Sequence, residues 1–199
     1  MFDCIIPIGQ TCNITFLLQN AKLKKYTTLF EWFVSPNLNN ITEILTKIGN
    51  NTDTDMIKTS GKSIFMGDNI YSEHYTPDVF IDIYKRRRDR LVDTIKSSKH
   101  ILFVRFESSN IHYHTADIDN FMHSVLTINP NIENVKLFLI SPNKKIEHPS
   151  LISIIYTKQK KDPYCRSREI NELFVTNLEK HGYNVNSTSN ECFTDMSEV

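Results

Sequence analysis

One cysteine stands where the sequence predicts that a strand is followed by a helix. The apolar run at residues 4–8 predicts the strand, and Gly9 and Gln10 interrupt it. A helical pattern follows, with an apolar face made of Ile14, Leu17, Leu18 and Ala21. We therefore expect Cys12 at or near the first helical turn, where unpaired N–H groups and the helix dipole favour a thiolate. This position is typical of a nucleophilic cysteine, with a small buried hydrophobic side chain as the common alternative.

A cysteine nucleophile needs a base, and His74 is our candidate among the seven histidines. It follows a strand-like segment and precedes Thr76-Pro77, which is typical of a helix start. A histidine at a strand end can face a helix N-terminus across a cleft, as nucleophile–base pairs require. The turn before the thiol, at Gly9 and Gln10, would then hold an oxyanion or another anion. The alternative for the histidine is a solvated position in a loop.

Charged residues also lie at the carboxyl end of the apolar strand predicted at residues 101–106. These are Arg105 and Glu107, and the polar residues 108–110 follow them. In open α/β sheets, ligands bind at the carboxyl ends of the strands. We therefore expect Arg105 and Glu107 to contact substrate, with a plain Arg–Glu pair or exposure to solvent as the alternative.

Two other groups of side chains have simpler interpretations. His112 and His114 have the spacing of a strand and could bind a metal, but no third ligand lies near them in the sequence. A solvated loop is therefore favoured, and we expect neither a metal nor a cofactor. The basic run at residues 85–90 spans a little over one helical turn, so its charges point in several directions. It indicates a solvated helix, with a phosphate-binding or partner-binding patch as the alternative.

The bulk composition limits the partners and the location. The 199 residues predict one domain at residues 1–187 and a flexible tail at residues 188–199. Lys plus Arg and Asp plus Glu both number 23, which excludes general binding to nucleic acid or to anionic membranes. We see no leader sequence and no apolar run near the ~18 residues of a membrane span. The four cysteines lack CxxC spacing, which predicts free thiols and a cytoplasmic location.

The elements that must position these residues alternate along the chain. Strands are predicted at residues 4–8, 101–106, 135–140, 151–156 and 183–185. Helices are predicted at residues 12–21, 38–48, 77–97, 117–128 and 166–181, with Gly49 as the C-cap of the second. A loop is predicted at residues 50–62 and a hairpin at residues 63–73. This alternation predicts an α/β fold with a mostly parallel, Rossmann-like sheet that is flanked by helices in one layered domain.

Several short motifs, taken in order, resemble a known family. They are the helix-opening Ile8-Gly9-Gln10-Thr11-Cys12, the segment Leu29-Phe30-Glu31-Trp32, a histidine after a hairpin, and a basic helix that leads to a strand ending in Arg105. This order resembles an uncharacterised family assigned as papain-like cysteine peptidases, found in bacteria and large DNA viruses. The resemblance covers residues 3–110, a little over half of the chain.

The resemblance implies a cysteine hydrolase and a papain-like α+β fold, which is the alternative to the Rossmann-like sheet. Cys12 would be the nucleophile and His74 its base. Glu31 and Trp32 would help to bind a peptide or small-molecule substrate. The family places an Asp directly after this histidine, where the chain has Tyr75, so the residue that orients the imidazole is unassigned.

Departures from the family pattern leave two other functions open. Leu29 and Glu31 stand where the family has Pro and Asp. One alternative is a Rossmann-like enzyme that binds a nucleotide or a phosphorylated sugar at the turn before Cys12. The other is a non-catalytic protein that binds a host protein, in the host cytoplasm if the chain is viral.

Overall fold

A computed structural model of the chain describes residues 2–61, 63–107, 111–142, 146–156 and 168–182. The elements follow in the order β1 (Cys4–Pro7), α1 (Asn13–Asn20), α2 (Leu38–Gly49), β2 (Ile57–Ser60), β3 (Ser63–Met66), β4 (Ile70–Ser72), α3 (Pro77–Ser97), β5 (His100–Phe106), α4 (Thr115–Ile128), β6 (Asn134–Ser141), β7 (Leu151–Ile155) and α5 (Arg168–Lys180). The predicted strand at residues 183–185 and the predicted tail lie outside the described residues, as do residues 108–110.

The main sheet contains β1, β5, β6 and β7, side by side in that order. All three pairings are parallel, and Phe103 of β5 lies between Ile6 of β1 and Leu137 of β6. The strands are apolar along nearly their whole length, as expected for strands that are covered on both faces. The α/β prediction is therefore confirmed for this sheet, and its parallel strands favour that prediction over the papain-like α+β alternative.

Alternate residues of β5 point into two different hydrophobic clusters, one on each face of the main sheet. Ile101 and Phe103 pack with α2, α3 and α4. Leu102 and Val104 pack with α1 and α5. This alternation is the period of two that a strand imposes on its side chains. Helices therefore cover both faces, and α1 and α5 lie on the opposite face from α2, α3 and α4.

A second, antiparallel sheet contains β2, β3 and β4 in that order. The predicted hairpin of β3 and β4 is confirmed, but the predicted loop at residues 50–62 is wrong for β2. The sequence does not show this strand because three of its four residues are exposed and only Ile57 contributes to the core. It forms because β3 offers an open edge of backbone donors and acceptors, and Gly61 at φ +60° reverses the chain.

The end of α2 differs from its prediction. Gly49 is the last helical residue, and the left-handed residue beyond the helix is Asn51, with φ 55°. A Cβ atom on Gly49 would lie 2.9 Å from the Cγ2 of Thr127 in α4. The glycine is therefore needed for the close approach of two helices, and not for a left-handed cap.

Of the helices that the structure describes, none is long and apolar enough to cross a membrane.

The other predicted boundaries of helices and strands agree with the structure to within two residues. α4 begins at Thr115, two residues early, because the Asp117 carboxylate accepts a hydrogen bond from the His114 N–H at 2.7 Å.

Candidate functional site

Cys12 is the N-cap residue of α1 and follows the carboxyl end of β1 after a turn at residues 8–11. Its carbonyl accepts hydrogen bonds from the N–H groups of Thr15 at 3.0 Å and Phe16 at 3.4 Å. The thiol is free and half-buried, its side chain caps no backbone N–H, and the first turn of the helix carries no acidic residue. The predicted placement of this thiol at the start of the helix is confirmed. The Thr11 Oγ1 accepts a hydrogen bond from the Asn13 N–H at 3.4 Å, and no carboxylate of the first turn competes for an anion.

The turn between β1 and α1 is tightly packed. A Cβ atom on Gly9 would lie 2.3 Å from the Cγ2 of Ile14 and 2.9 Å from the carbonyl oxygen of Thr11. Gly9 is therefore needed because the helix folds back against it. The side-chain amide of Gln10 donates to the Pro36 carbonyl at 3.4 Å, and this residue is 9% exposed.

His74 is exposed and lies two residues after β4. Its N–H donates to the Ser72 Oγ at 3.2 Å, and that hydroxyl donates to the carbonyl of Trp32 at 2.7 Å. The imidazole packs edge-on against the Trp32 ring, with 5.4 Å between the ring centroids. Backbone and ring contacts therefore both fasten His74 to Trp32.

Trp32 connects the histidine to the helix that carries the thiol. Its ring also packs edge-on against Phe16, with 5.9 Å between centroids, and Phe16 lies one helical turn beyond Cys12. We call Phe16, Trp32 and His74 the aromatic row. Trp32 has φ 68°, a left-handed conformation that costs a bulky residue roughly 1–2 kcal/mol. Strain of this kind is concentrated at functional sites.

Glu31, predicted to bind substrate, is almost fully buried. Its carboxylate accepts hydrogen bonds from the Thr28 N–H at 2.6 Å and from the Thr15 hydroxyl at 3.1 Å, and it forms an ion pair with Lys24 at 2.8 Å. The substrate-binding role of Glu31 stays a prediction. The contacts observed are with the protein itself, and they link the segment before Trp32 to α1.

Arg105 is completely buried, and its guanidinium binds the turn before Cys12. Nη1 donates to the Ile8 carbonyl at 2.8 Å and to the Ser35 Oγ at 3.0 Å. Nη2 donates to the Ser35 carbonyl at 2.9 Å. Burial acts to lower the pKa of Arg105, but Glu107 and Tyr113 raise it, so the group is charged. The predicted contact with substrate stays a prediction, and the contacts observed are with the protein itself.

Glu107 completes this buried network. Its Oε1 accepts hydrogen bonds from the Nε of Arg105 and from the Tyr113 hydroxyl, so the Arg–Glu pair that the sequence left as an alternative is present. Burial, and after it the charge of Glu107, raise the pKa of Tyr113, which therefore stays a hydrogen-bond donor. The other oxygen, Oε2, is buried and has no hydrogen-bond partner among the described residues.

The chain has no recognisable relative in the comparisons with known proteins. No family model, curated protein or solved structure matches it. The family resemblance therefore stays a prediction, and the roles of the residues around Cys12 are argued from geometry.

Sequence reasoning missed Ser35 and Tyr113. Ser35 is buried, and its hydroxyl donates to the Gly9 carbonyl at 2.7 Å. Only its place before a proline distinguished it in the sequence, and that pattern indicates a turn without indicating a partner. Tyr113 alternates with exposed His112 and His114, so strand spacing could have indicated that it points inward.

Among the described residues, which include the two exposed histidines, no group of three His, Cys, Asp or Glu side chains is placed to hold a metal ion. The basic run is not simply solvated. Arg87 is buried and donates to the Tyr75 hydroxyl at 2.7 Å, while Arg88 binds both carboxylate oxygens of Asp53. These arginines bind the protein's own groups and fasten α3 to the loops beside it.

Proposed function

We propose that the protein is a cysteine-dependent hydrolase, with Cys12 as the nucleophile and His74 as the base. One observation carries the proposal: a free, half-buried thiol lies at the N-terminus of a helix whose first turn has no acidic residue, and the aromatic row connects this helix to an exposed histidine. The substrate would be a peptide, amide or ester, because a thiolate attacks the carbonyl carbon of each.

The reaction needs no group beyond this chain and water. His74 takes the thiol proton, and the sulfur attacks the carbonyl carbon, so that a C–S bond forms and the carbonyl electrons move to oxygen. As the intermediate collapses, the bond to the leaving nitrogen or oxygen breaks, and the leaving group takes the proton from the imidazole. Water then hydrolyses the thioester in the same way and restores the thiol.

Backbone N–H groups at the start of α1 support the proposal because they can hold the oxyanion. Among the described residues, no group accepts a hydrogen bond from the N–H of Thr11 or of Cys12. Both belong to the residues that begin α1, and the positive end of the helix dipole adds to their effect. Gln10 comes directly before these donors in the chain, and its own part in holding the oxyanion stays a prediction.

Trp32 is our candidate for the orienting residue. Tyr75 replaces the acidic neighbour that the family has, and its hydroxyl accepts a hydrogen bond from Arg87, on the side of α3. The Trp32 ring contacts the imidazole of His74, and Ser72 binds the backbone of both residues. A ring contact fixes an orientation without adding charge, so the base works without a carboxylate partner.

The nucleotide-binding alternative has less support. In the described sheet the strand order runs in one direction, so it lacks the reversal at which doubly wound sheets bind their ligands. Arg105, Arg87 and Arg88, which would have supplied positive charge, bind protein groups. We therefore prefer the hypothesis of a cysteine-dependent hydrolase.

The test is hydrolysis of p-nitrophenyl acetate, followed as release of nitrophenolate, together with alkylation of single thiols by iodoacetamide, followed by mass spectrometry. We expect Cys12 to be alkylated faster than Cys4, because burial raises the pKa of the Cys4 thiol by more than the hydrogen bond from the Ser98 hydroxyl lowers it. Cys12→Ala should abolish the burst of nitrophenolate. His74→Gln should slow it by ~10²-fold or more, as for loss of a general base.

Two matched variants serve as controls. His112→Gln removes another exposed imidazole, and Cys4→Ala removes another free thiol, so both should leave the burst unchanged. A burst that survives Cys12→Ala contradicts the proposal. Alkylation at Cys12 no faster than in the unfolded chain, together with no burst, would favour the non-catalytic alternative.

A further inference from the structure

Three consecutive carbonyl groups before Cys12 are all bound by one pair of buried residues. Arg105 binds the carbonyl of Ile8 at 2.8 Å, and the Ser35 hydroxyl binds that of Gly9 at 2.7 Å. The N–H of Ser35 donates to the Gln10 carbonyl at 3.0 Å. We call Arg105 and Ser35 the turn clamp. Arg105 also binds the hydroxyl and the carbonyl of Ser35, so the clamp acts as a unit.

The clamp decides where the N–H groups of the turn point. In a trans peptide the carbonyl oxygen and the next N–H lie on opposite sides, and the described chain has no cis peptide bonds. The Gly9–Gln10 peptide shows this directly: its carbonyl faces Ser35, and its N–H donates to the Phe106 carbonyl at 3.3 Å. By the same rule, binding of the Gln10 carbonyl to Ser35 turns the Thr11 N–H away from the clamp.

The clamp is also fixed relative to the histidine. Val34, beside Ser35, exchanges backbone hydrogen bonds with Tyr71 of β4, at 2.7 and 3.1 Å. Two residues earlier, the carbonyl of Trp32 accepts from Ser72. Residues 32–35 therefore bind the strand that leads to His74 on one side and the turn that leads to the thiol on the other.

We infer that Arg105 and Ser35 are positioning residues, which aim the N–H of Thr11 at the oxyanion of an acyl-transfer reaction. The inference rests on the proposed function and assigns the buried guanidinium a role without substrate contact. Glu107 belongs to the same device because it binds the Nε of Arg105 and holds the guanidinium plane. A buried arginine with this set of acceptors orients carbonyl groups well because its donors form a rigid planar fork.

Two reactions of the same thiol separate this role from a merely structural one. Alkylation by iodoacetamide displaces iodide from a saturated carbon, so the sulfur gains a C–S bond and no oxyanion forms. Acylation by p-nitrophenyl acetate passes through an oxyanion. The ratio of the acylation rate to the alkylation rate at Cys12 therefore reports on the orientation of the N–H groups. A change in the reactivity of the thiol itself would alter both rates together.

The decisive variant is Ser35→Ala, which removes the hydrogen bond to the Gly9 carbonyl and one acceptor of Arg105. We expect it to lower the acylation rate by about tenfold, which is less than the ~10²–10³ that loss of a whole oxyanion donor costs in comparable sites, because the Ser35 N–H still binds the Gln10 carbonyl and only the support of that bond is lost. Alkylation of Cys12 should be unchanged. Ser35→Thr, which keeps the hydroxyl, should restore acylation. Ser124→Ala is the matched control, because it removes another buried hydroxyl bound to a carbonyl, in α4.

The outcomes distinguish the two proposals. If Ser35→Ala leaves acylation unchanged in a chain whose wild-type burst depends on Cys12, the inference is wrong and the proposed function stands. If acylation and alkylation fall together, the clamp is structural and the inference is again wrong. If the wild-type chain shows no burst that depends on Cys12, the proposed function fails, and the inference fails with it.

Discussion

Gly9 shows how one missing methyl group fixes the geometry beside the thiol. Its backbone touches the side chain of Ile14 across the turn, at a distance that leaves no room for a Cβ atom. The φ of Gly9 is not in the left-handed region, so the requirement is steric. The helix that carries Cys12 is thereby held against the end of β1, where the turn clamp binds.

Gly9→Ala tests this packing. We expect it to lower the free energy of unfolding by about 1–3 kcal/mol, the usual cost of overpacking a core. Ile14→Ala removes the Cγ2 that the new Cβ would meet, so in that background the Gly9→Ala change should cost less, with a coupling of about 1 kcal/mol. Urea denaturation of the four proteins in the cycle measures it. Equal costs in both backgrounds would show that Ile14 is not the obstacle.

At the scale of elements, α3 is fastened to the loop after α2 by the carboxylate of Asp53. Arg88 donates to its two oxygens at 2.9 and 3.0 Å, and the Tyr84 hydroxyl donates at 3.0 Å. Burial acts to raise the pKa of Asp53, but the hydrogen bonds from Arg88 and Tyr84 outweigh it and hold that pKa below its usual value of 3.8. The ionised form is therefore the one that stabilises the fold.

The sign of the pH effect follows from that direction. Because the folded pKa of Asp53 lies below the unfolded one, its contribution is complete above about pH 4 and is lost as the pH falls through the folded pKa. Asp53→Asn should lower the free energy of unfolding at pH 7 by about 1.5–3 kcal/mol, the range for hydrogen bonds to charged groups. It should also flatten the acid limb of the stability profile, measured by urea denaturation from pH 7 to pH 3. Asp55→Asn, at a neighbouring exposed carboxylate, should do neither.

At the scale of the whole molecule, stability should be greatest in the middle of the main sheet. β5 and β6 each have a strand on both sides, and Phe103, Val104, Leu137 and Phe138 are completely buried. β2 is an edge strand with three exposed residues, and it contributes little to either cluster. The small sheet is therefore expected to open without the main sheet.

Native-state hydrogen exchange checks this order. We expect amides in the middle of β5 and β6 to exchange only by global unfolding, and those of β2 to exchange at least ~100-fold faster, by local opening. Low urea should speed exchange in β5 more than in β2, because global unfolding exposes more surface. Uniform protection across both sheets would contradict a separate opening of β2.

Patterns among neighbouring residues in the sequence account for most of the elements that could be predicted. The parallel sheet, the hairpin and the helix start at Cys12 follow from apolar runs and from turn residues, which act over a few positions. β2 escaped prediction because its polar residues pair with β3 through the backbone alone. The cap of α2 was misplaced because the reason for Gly49 lies in Thr127, on another helix.

The sequence by itself determined that a thiol begins a helix after a buried strand, because neighbouring residues decide strand, turn and helix. Only the tertiary structure decided what surrounds that thiol. Arg105, which the strand pattern placed at a substrate site, binds Ile8, 97 residues away, and Ser35, 70 residues away. Trp32 meets His74 through a contact that no local pattern encodes. Such contacts depend on how the sheet brings distant segments together. In the folded chain Arg105 therefore binds main-chain carbonyl groups that surround the turn before the thiol.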